Sequence, residues 1–546
     1  MVAKLEEVAA PHSTFDTILV LDFGSQTSHL ILRRLRSLNV YAEMLPCTTK
    51  LADLPWKPVG IVLSGGPSSV YDEVSPHVDP AIFDMGVPIL GICYGCQEIA
   101  WRINDKNVQR GEKREYGQTD VDILTLDGQQ DHVNRLFEGV EANTEVTMSH
   151  FDKLVHLPEG FVTIASTPST PYAGIAHKEK PIFGIQFHPE ISHTKRGMDI
   201  LGNFATKICK ARDNWKMENF IEKEIIRIRK LVGENAQVIG AVSGGVDSTV
   251  AARLMKEAIG DRFHAILVDT GLMRLNECEQ VKKSLSDHLN INLTIVDGAE
   301  LFFSRLAGVT EPEAKRKIIG GTFIDLFEKE AIRIEEEAKH TPHAGKVEWF
   351  LQGTLYPDLI ESLSWKGPSA TIKSHHNVGG LPARMMNGQG LKLIEPLREL
   401  FKDEVREFGR QLGIHEELIM RHPFPGPGIG IRILGEVTPE RVELVRQADH
   451  IFISSIREAG IYNEMSQAFA ALDTSRAVGV MGDSREYGYI CILRAVSSVD
   501  FMSAEPYAFD SKLILKIANR IPNEVHGITR VVYDYTGKPP GTIELE

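Results

Sequence analysis

Three side chains far apart in the chain have the types and settings of a nucleophilic centre. Cys93 stands in Gly91-Ile-Cys93-Tyr94-Gly95 at the end of an apolar run, Pro88–Ile92. Glycine two before and two after a thiol permits the cramped strand-to-helix turn that projects a nucleophile at a sheet edge. A thiol at a helix N-terminus is favoured as its thiolate, and it needs a base with an orienting acid behind it. Gly184-Ile-Gln-Phe-His188-Pro-Glu190 supplies both, because residues two apart on extended chain point the same way. Leu63-Ser-Gly65-Gly66-Pro67 adds a glycine turn after a strand, suited to backbone donors for an oxyanion. The chemistry of such a set is thiolate attack on a carbonyl. Cys93 and Cys96 also spell Cys-x-x-Cys, the redox alternative, which requires neither His-Pro-Glu nor Gly-Gly-Pro.

A second set lies in Ser243-Gly-Gly-Val-Asp-Ser248, between the apolar Gln237–Val242 and the helical pattern of Thr249–Ala258. Two glycines between a strand and a helix let backbone N–H groups close around an anion, helped by the helix dipole. The lysine and spacing of a Walker A loop are absent. Asp247 beside phosphates makes sense with a divalent metal between them. The competing reading is a structural Gly-Gly turn capped by Asp247.

Elements must hold these residues. From Thr17 short apolar runs alternate with helical patterns: Thr17–Phe23, Ser28–Leu38, Gly60–Leu63 and Pro88–Ile92, closing near Phe183–Phe187 and Met198–Lys210. That rhythm predicts a parallel sheet flanked by helices. An amphipathic helix over Trp215–Leu231 leads to a second α/β unit with strands at Gln237–Val242, Phe263–Val268, Asn292–Val296, Val347–Gln352 and Leu391–Ile394. Glu328–His340 reads as a solvated helix face, and Lys366–Gln389, rich in Gly, Pro, His and Asn, as a functional loop. His422–Gly430 is too rich in proline and glycine for regular structure and marks a third boundary. Tyr487–Val496, Lys512–Arg520 and Thr529–Tyr535 then predict a smaller α+β domain. The expected fold class is α/β: two open parallel-sheet domains at 16–214 and 215–421, a C-terminal α+β domain at 422–546, and a flexible tail at 1–15.

Composition limits the partners. With 546 residues, two or three cores are expected. A net charge of −14 argues against a nonspecific nucleic-acid surface, so an anionic substrate must meet locally concentrated Lys and Arg. No apolar run has the length of a membrane span, and the N-terminus lacks the apolar core of a signal peptide. Six scattered cysteines form no disulfide framework, which fits a reducing cytosol.

Ser-Gly-Gly-Pro, Gly-x-Cys-x-Gly and His-Pro-Glu, in that order, resemble the triad-type glutamine amidotransferases, and Ser-Gly-Gly-x-Asp-Ser resembles the loop of pyrophosphatase-type ATP-binding enzymes. Further motifs extend the likeness from about residue 16 to the end: Lys315–Gly320, Gln352–Asp358, Ile372–Pro382, His422–Gly428, Val478–Asp483 and Lys538–Glu544. Together they resemble the glutamine-hydrolysing GMP synthase family. The resemblance implies Cys93 as nucleophile, His188 as base and acid, Glu190 as orienter, Gly66 and Tyr94 as oxyanion donors, and Gln97 beside the substrate glutamine. It implies ATP on Ser243, Gly244, Gly245, Val246, Asp247, Ser248 and Thr249, with Val268 and Phe323 near adenine, Lys373 on phosphate, and Mg²⁺ at Asp247. Xanthosine monophosphate (XMP) would meet Arg316, Gln467, Asp483, Lys538, Ile543 and Glu544. It further implies glutamine, ATP and XMP as small-molecule substrates, no nucleic-acid or membrane partner, and a cytosolic homodimer. Met148-Ser-His150-Phe-Asp152 matches the family's glutamine-side loop, with Phe151 where a small residue is expected. His375 and His376, adjacent on extended chain, point apart and are read as loop residues rather than metal ligands. Cys96, one turn after Cys93, is expected to be able to pair with it on mild oxidation. Another glutamine-dependent adenylylating ligase, or an idle scaffold of the same fold, are the alternatives.

Overall fold

Apolar runs of four to seven residues become strands buried on both faces, the pattern of parallel sheets sandwiched by helices. The structure is a computed structural model and describes residues 11–25, 27–126, 131–191, 193–338, 346–357, 391–482, 484–498 and 503–546. It resolves into two compact units that meet in sequence at Phe220 and Ile221.

In the first unit, β1 (Thr17–Asp22), β2 (Tyr41–Pro46), β3 (Gly60–Leu63), β4 (Ile89–Ile92) and β9 (Ile182–Ile185) run parallel in the order β2-β1-β3-β4-β9. The same sheet then continues antiparallel through β8 (Gly174–His177), β7 (Phe161–Ser166), β5 (Val108–Ile123) and β6 (Asn143–Leu154). The parallel half follows the apolar runs, whereas the long antiparallel strands β5 and β6 carry no such runs. Register decides what meets at the sheet edge. Leu63 on β3, Gly91 on β4 and Gly184 on β9 are neighbours across the strands, so the loops after all three emerge side by side.

Part of the expected tail is ordered. His12 stacks on Trp56 with ring centroids 4.8 Å apart and hydrogen-bonds Glu43, while Phe15 is buried edge-on to Trp215. Aromatic burial of this kind outweighs the entropy of a short end segment. Residues 11–15 therefore belong to the packed unit and not to a flexible tail.

The second unit holds two sheets. The first is wholly parallel, ordered β12-β11-β10-β13-β14, from β10 (Gln237–Ala241), β11 (Phe263–Asp269), β12 (Leu293–Asp297), β13 (Val347–Leu351) and β14 (Lys392–Ile394). The chain leaves β10 toward one side for β11 and β12, and later strands add on the other. That makes the end of β10 a topological switch point, where open α/β sheets bind ligands. The helix behind the expected Glu328–His340 face is longer than predicted, running from Pro312 to Ala338. Lys366–Gln389, with Lys373, His375 and His376, lies outside the described residues.

The last sheet pairs β15 (Ile433–Leu434) with β16 (Gln467–Met481), β16 with β17 (Ser484–Ser497), and β17 with β18 (Glu505–Pro506) and β19 (Ile528–Tyr533). Helix Pro439–Glu458 packs on it and also reaches the loop after β11, where Arg446 donates to the carbonyls of Gly271 and Met273 at 2.8 Å. Asp483 lies outside the described residues.

His422 begins the proline-rich segment and stacks on Tyr462 at 3.8 Å, with its Nε2 against the Tyr462 carbonyl at 2.9 Å. Burial pushes its pKa down from 6.5 to about 4. The folded protein therefore holds the ring neutral, and the unfolded chain binds the extra proton. This contribution is complete above pH 6.5 and is lost as pH falls toward 4, at about 3 kcal/mol. Urea unfolding of the parent and of His422→Phe at pH 7 and pH 4 checks this: the variant should lose less stability on acidification by about that amount.

Candidate active sites

Cys93 sits at the join of β4 and helix Tyr94–Ile103 with φ +51°, a left-handed value rare for a side-chain-bearing residue. The flanking glycines are there for close approach. A Cβ on Gly91 would lie 2.5 Å from the Gly95 backbone, and one on Gly95 would lie 2.3 Å from the Leu63 carbonyl. Two backbone bonds fix the turn, from Cys93 N–H to Ile185 at 2.8 Å and from Gly95 N–H to Ser64 at 3.0 Å.

Because β4 and β9 are adjacent and in register, His188 comes to the same edge as Cys93. His188 Nδ1 meets Glu190 Oε1 at 2.8 Å, and the Glu190 side chain is fully buried. Burial opposes charge on the ring, but the Glu190 carboxylate and Cys93 outweigh it and hold the His188 pKa well above 6.5. The arrangement favours an imidazolium at His188. Thr27 donates to the same Glu190 oxygen at 2.8 Å, and Arg34 donates to the Glu190 carbonyl at 3.0 Å. Sequence reasoning missed both. They come from a segment some 160 residues earlier, and no local pattern marks them.

Gly65 and Gly66 line the same edge: a Cβ on Gly65 would be 3.1 Å from the His188 ring, and one on Gly66 would be 3.2 Å from Tyr94 Cγ. The Tyr94 hydroxyl points away and donates to the Pro76 carbonyl at 2.8 Å. Gln97 is buried, with its amide donating to the Asp152 carbonyl at 2.8 Å and to Gln186 Oε1 at 3.4 Å. It therefore braces β6. That strand brings the Ser149 carbonyl to 3.7 Å from Cys93 Sγ. A cavity of about 580 Å³ opens along it, lined by Tyr71, Arg110, Phe151 and Asp152 among others. Phe151 forms part of its wall under the Arg110 guanidinium, 4.6 Å above the ring, and the Tyr71 hydroxyl donates to Asp152 at 2.7 Å.

Cys96 does not face the nucleophile's partners. It is fully buried against Gly184, and burial pushes its thiol well up, so it is an inert core thiol rather than a redox partner for Cys93.

In the second unit, β10 ends in the Ser243–Ser248 loop, and helix Val246–Ile259 begins inside it. The loop is knitted by its own hydroxyls: Ser243 N–H donates to Ser248 Oγ at 3.2 Å, and Ser248 Oγ donates to the Gly245 carbonyl at 3.0 Å. Gly244 has φ +74°, and a Cβ there would lie 2.3 Å from Val281 Cγ2. Only glycine fits. Asp247 stands in the first helical turn, where Lys402 Nζ donates to its Oδ2 at 2.5 Å and its buried Oδ1 has no partner among the described residues. Since β13 lies beside β10, Gly353 of the Gln352–Thr354 segment also abuts Asp247. Thr249 N–H closes the first helical bond to the Gly245 carbonyl at 3.0 Å. Val268 on β11 is buried, and Phe323, half-buried on helix Pro312–Ala338, packs on the same core.

The residues expected around XMP divide. Gln467 Nε2 donates to Glu544 at 2.5 Å, and Arg432 grips the same carboxylate through Nη2 at 2.9 Å and Nε at 3.2 Å. Arg494 donates to the Ile543 carbonyl at 2.7 Å. Lys538 pairs through its backbone with Ala504, and Arg316 donates to the Glu546 carbonyl. Arg432 and Arg494, both fully buried, organise this region, and no local spacing marks them.

Comparison with known proteins agrees with this geometry. Residues 19–208 match the class-I glutamine amidotransferase family, 216–316 the NAD synthase family, and 454–545 the GMP synthase C-terminal domain. A Gibberella zeae protein described as GMP synthase [glutamine-hydrolyzing] is 73% identical over 543 residues, covering 99% of each chain. Proteins of the same description from Aspergillus oryzae and Yarrowia lipolytica are 66% and 61% identical, each covering 98% of both chains. With identity at this level along essentially the whole of both chains, the chain belongs to the glutamine-hydrolysing GMP synthase family.

Proposed function

We propose that the protein aminates XMP to GMP, drawing ammonia from glutamine and activating XMP with ATP, in domains bounded at 16–214, 215–421 and 422–546. The observation that carries this reading is the His188–Glu190 pair beside Cys93 in a chain whose second unit places a phosphate-type loop at a sheet's switch point. Cys93 attacks the glutamine carboxamide, and the C–N bond breaks as His188 passes a proton to the departing ammonia. Water, deprotonated by His188, then hydrolyses the glutamyl thioester, while Gly66 and Tyr94 N–H groups hold the oxyanion. Arg110 and Asp152 on the cavity wall suit the α-carboxylate and α-ammonium of glutamine.

At the second site, the Ser243–Thr249 loop binds the β,γ-pyrophosphate of ATP, with Lys373 as a further phosphate contact and Val268 and Phe323 toward adenine. XMP lies against Arg316, Gln467, Asp483, Lys538, Ile543 and Glu544. Its C2 oxygen becomes a leaving group on adenylylation, and ammonia displaces AMP. Asp247 Oδ1 is a buried hard oxygen of the kind Mg²⁺ takes. No group of three or more acidic, His or Cys side chains clusters among the described residues, so phosphate oxygens and water would complete the shell. Bound there, Mg²⁺ would offset charge on the departing pyrophosphate.

A cytosolic homodimer is part of the same reading. All six cysteines are free, as suits a reducing compartment. On β16 and β17, Val478 lies directly opposite Tyr487, both exposed, with Val480 70% exposed nearby, an apolar patch that a second copy would cover. The test is GMP formation from XMP with glutamine or ammonium as donor, followed with AMP and pyrophosphate. Formation of AMP only with a different acceptor would favour another adenylylating ligase.

A further inference from the structure

Lys315 lies near the start of helix Pro312–Ala338, and its side chain has no exposed surface. Burying an ammonium costs several kcal/mol unless its donors are all used. Here they are: the three N–H groups of Nζ are shared among four acceptors, the carbonyls of Ile433 at 2.8 Å, Gly435 at 3.1 Å and Gly430 at 3.3 Å and the Glu546 carboxylate. A single cation thereby joins three segments distant in sequence: the helix, the turn at Gly430–Gly435, and the last residues of the chain. An apolar side chain could fill the same space, but it could not fix direction.

The held segment matters because of what it carries. Arg494 grips the strap near its start, through the Thr536 carbonyl at 3.0 Å and Asp534 at 2.7 Å, and again near its end, at Thr542 and Ile543. Ile543 is buried among Phe469, Ala471, Val496 and Ala504. Glu544 is held by Arg432 and Gln467, and Glu546 by Lys315 and Arg316. Lys538, Ile543 and Glu544 are thus strung along a strap with no regular secondary structure after β19, dependent on arginine and lysine anchors for its course.

We propose that Lys315 is a positioning residue for the acceptor site, its buried ammonium locking the strap 536–546 so that Lys538 and Glu544 are presented to the acceptor nucleotide. This rests on the reading that the strap binds XMP. It predicts a separation of kinetic constants that a general packing role does not. With ammonium as nitrogen donor, Lys315→Met should raise the KM for XMP by about 10-fold or more, while the KM for ATP and kcat at saturating XMP stay within about 3-fold. Glu546→Gln should move the XMP KM in the same direction by less. The double variant should be no worse than Lys315→Met alone, because the two groups act through one contact.

An unchanged XMP KM in folded Lys315→Met, or equal rises in the KM for XMP and ATP, overturns the proposal. Should Lys315→Met fail to fold, Glu546→Ala decides the matter: a raised XMP KM supports the lock and an unchanged one overturns it. Lys538→Ala separates the two ideas. A raised XMP KM there, with none in the Lys315 and Glu546 variants, overturns the lock and keeps the strap as a binding element. No change in Lys538→Ala, in a parent that makes GMP, overturns the premise and the lock with it.

Discussion

Cys93→Ala should reduce glutamine-dependent GMP formation by about 10⁴-fold or more while leaving ammonia-dependent formation within about 2-fold of the parent. The size of the loss follows from what is removed. Without Sγ there is no atom to form the thioester, and His188 and the backbone donors are left to act on a water they were not placed to hold. The selectivity follows from the first unit's construction. Cys93, His188, Glu190 and the glycine loop are all set by β3, β4 and β9 of a single sheet. The Ser243–Ser248 loop is knitted by its own hydroxyls. GMP appearance with glutamine and then with ammonium chloride checks the prediction, and loss of both activities would sink the division of labour.

The opposite pattern is expected at Asp247. Asp247→Ala should lower AMP and GMP formation by about 10³-fold with either nitrogen donor, the scale typical of removing a charge that acts mainly in the transition state. One carboxylate oxygen is held by Lys402 at 2.5 Å and the other is buried without a described partner, so the group is aimed and not merely solvated. The rate of Cys93 alkylation by iodoacetamide should be unchanged, which distinguishes a local loss from unfolding. Asp247→Asn keeps the shape and removes the charge. Retention of activity in that variant would assign Asp247 a capping role at the helix start and remove it from the chemistry.

How much of this was legible in the sequence depends on how local each signal is. The parallel strands were, because burial on both faces leaves uninterrupted apolar runs such as Thr-Ile-Leu-Val-Leu at β1. The nucleophile turn and the phosphate-type loop were, because glycine is needed where backbones approach within van der Waals contact, and that need is written in a few adjacent positions. The antiparallel half of the first sheet was not. β5 carries Arg110, Glu115, Asp120 and Asp122 among its residues, and with one face toward solvent it resembles a loop. The supporting shell was also hidden. Thr27 on Glu190, Lys402 on Asp247, and Arg432 and Arg494 on the C-terminal strap each reach across 40 residues or more. Only the finished fold relates such positions, and the same distance concealed the ammonium of Lys315. Its neighbour Arg316, expected at XMP, donates to the Glu546 carbonyl.

The left-handed backbone at Cys93 has a cost beyond its use. A residue with a Cβ held at φ +51° stores about 1–3 kcal/mol that glycine would not. Position 93 is therefore one where the most comfortable amino acid is a dead one. Selection for stability alone would erase the thiol, and its presence marks a point at which robustness has been exchanged for reactivity.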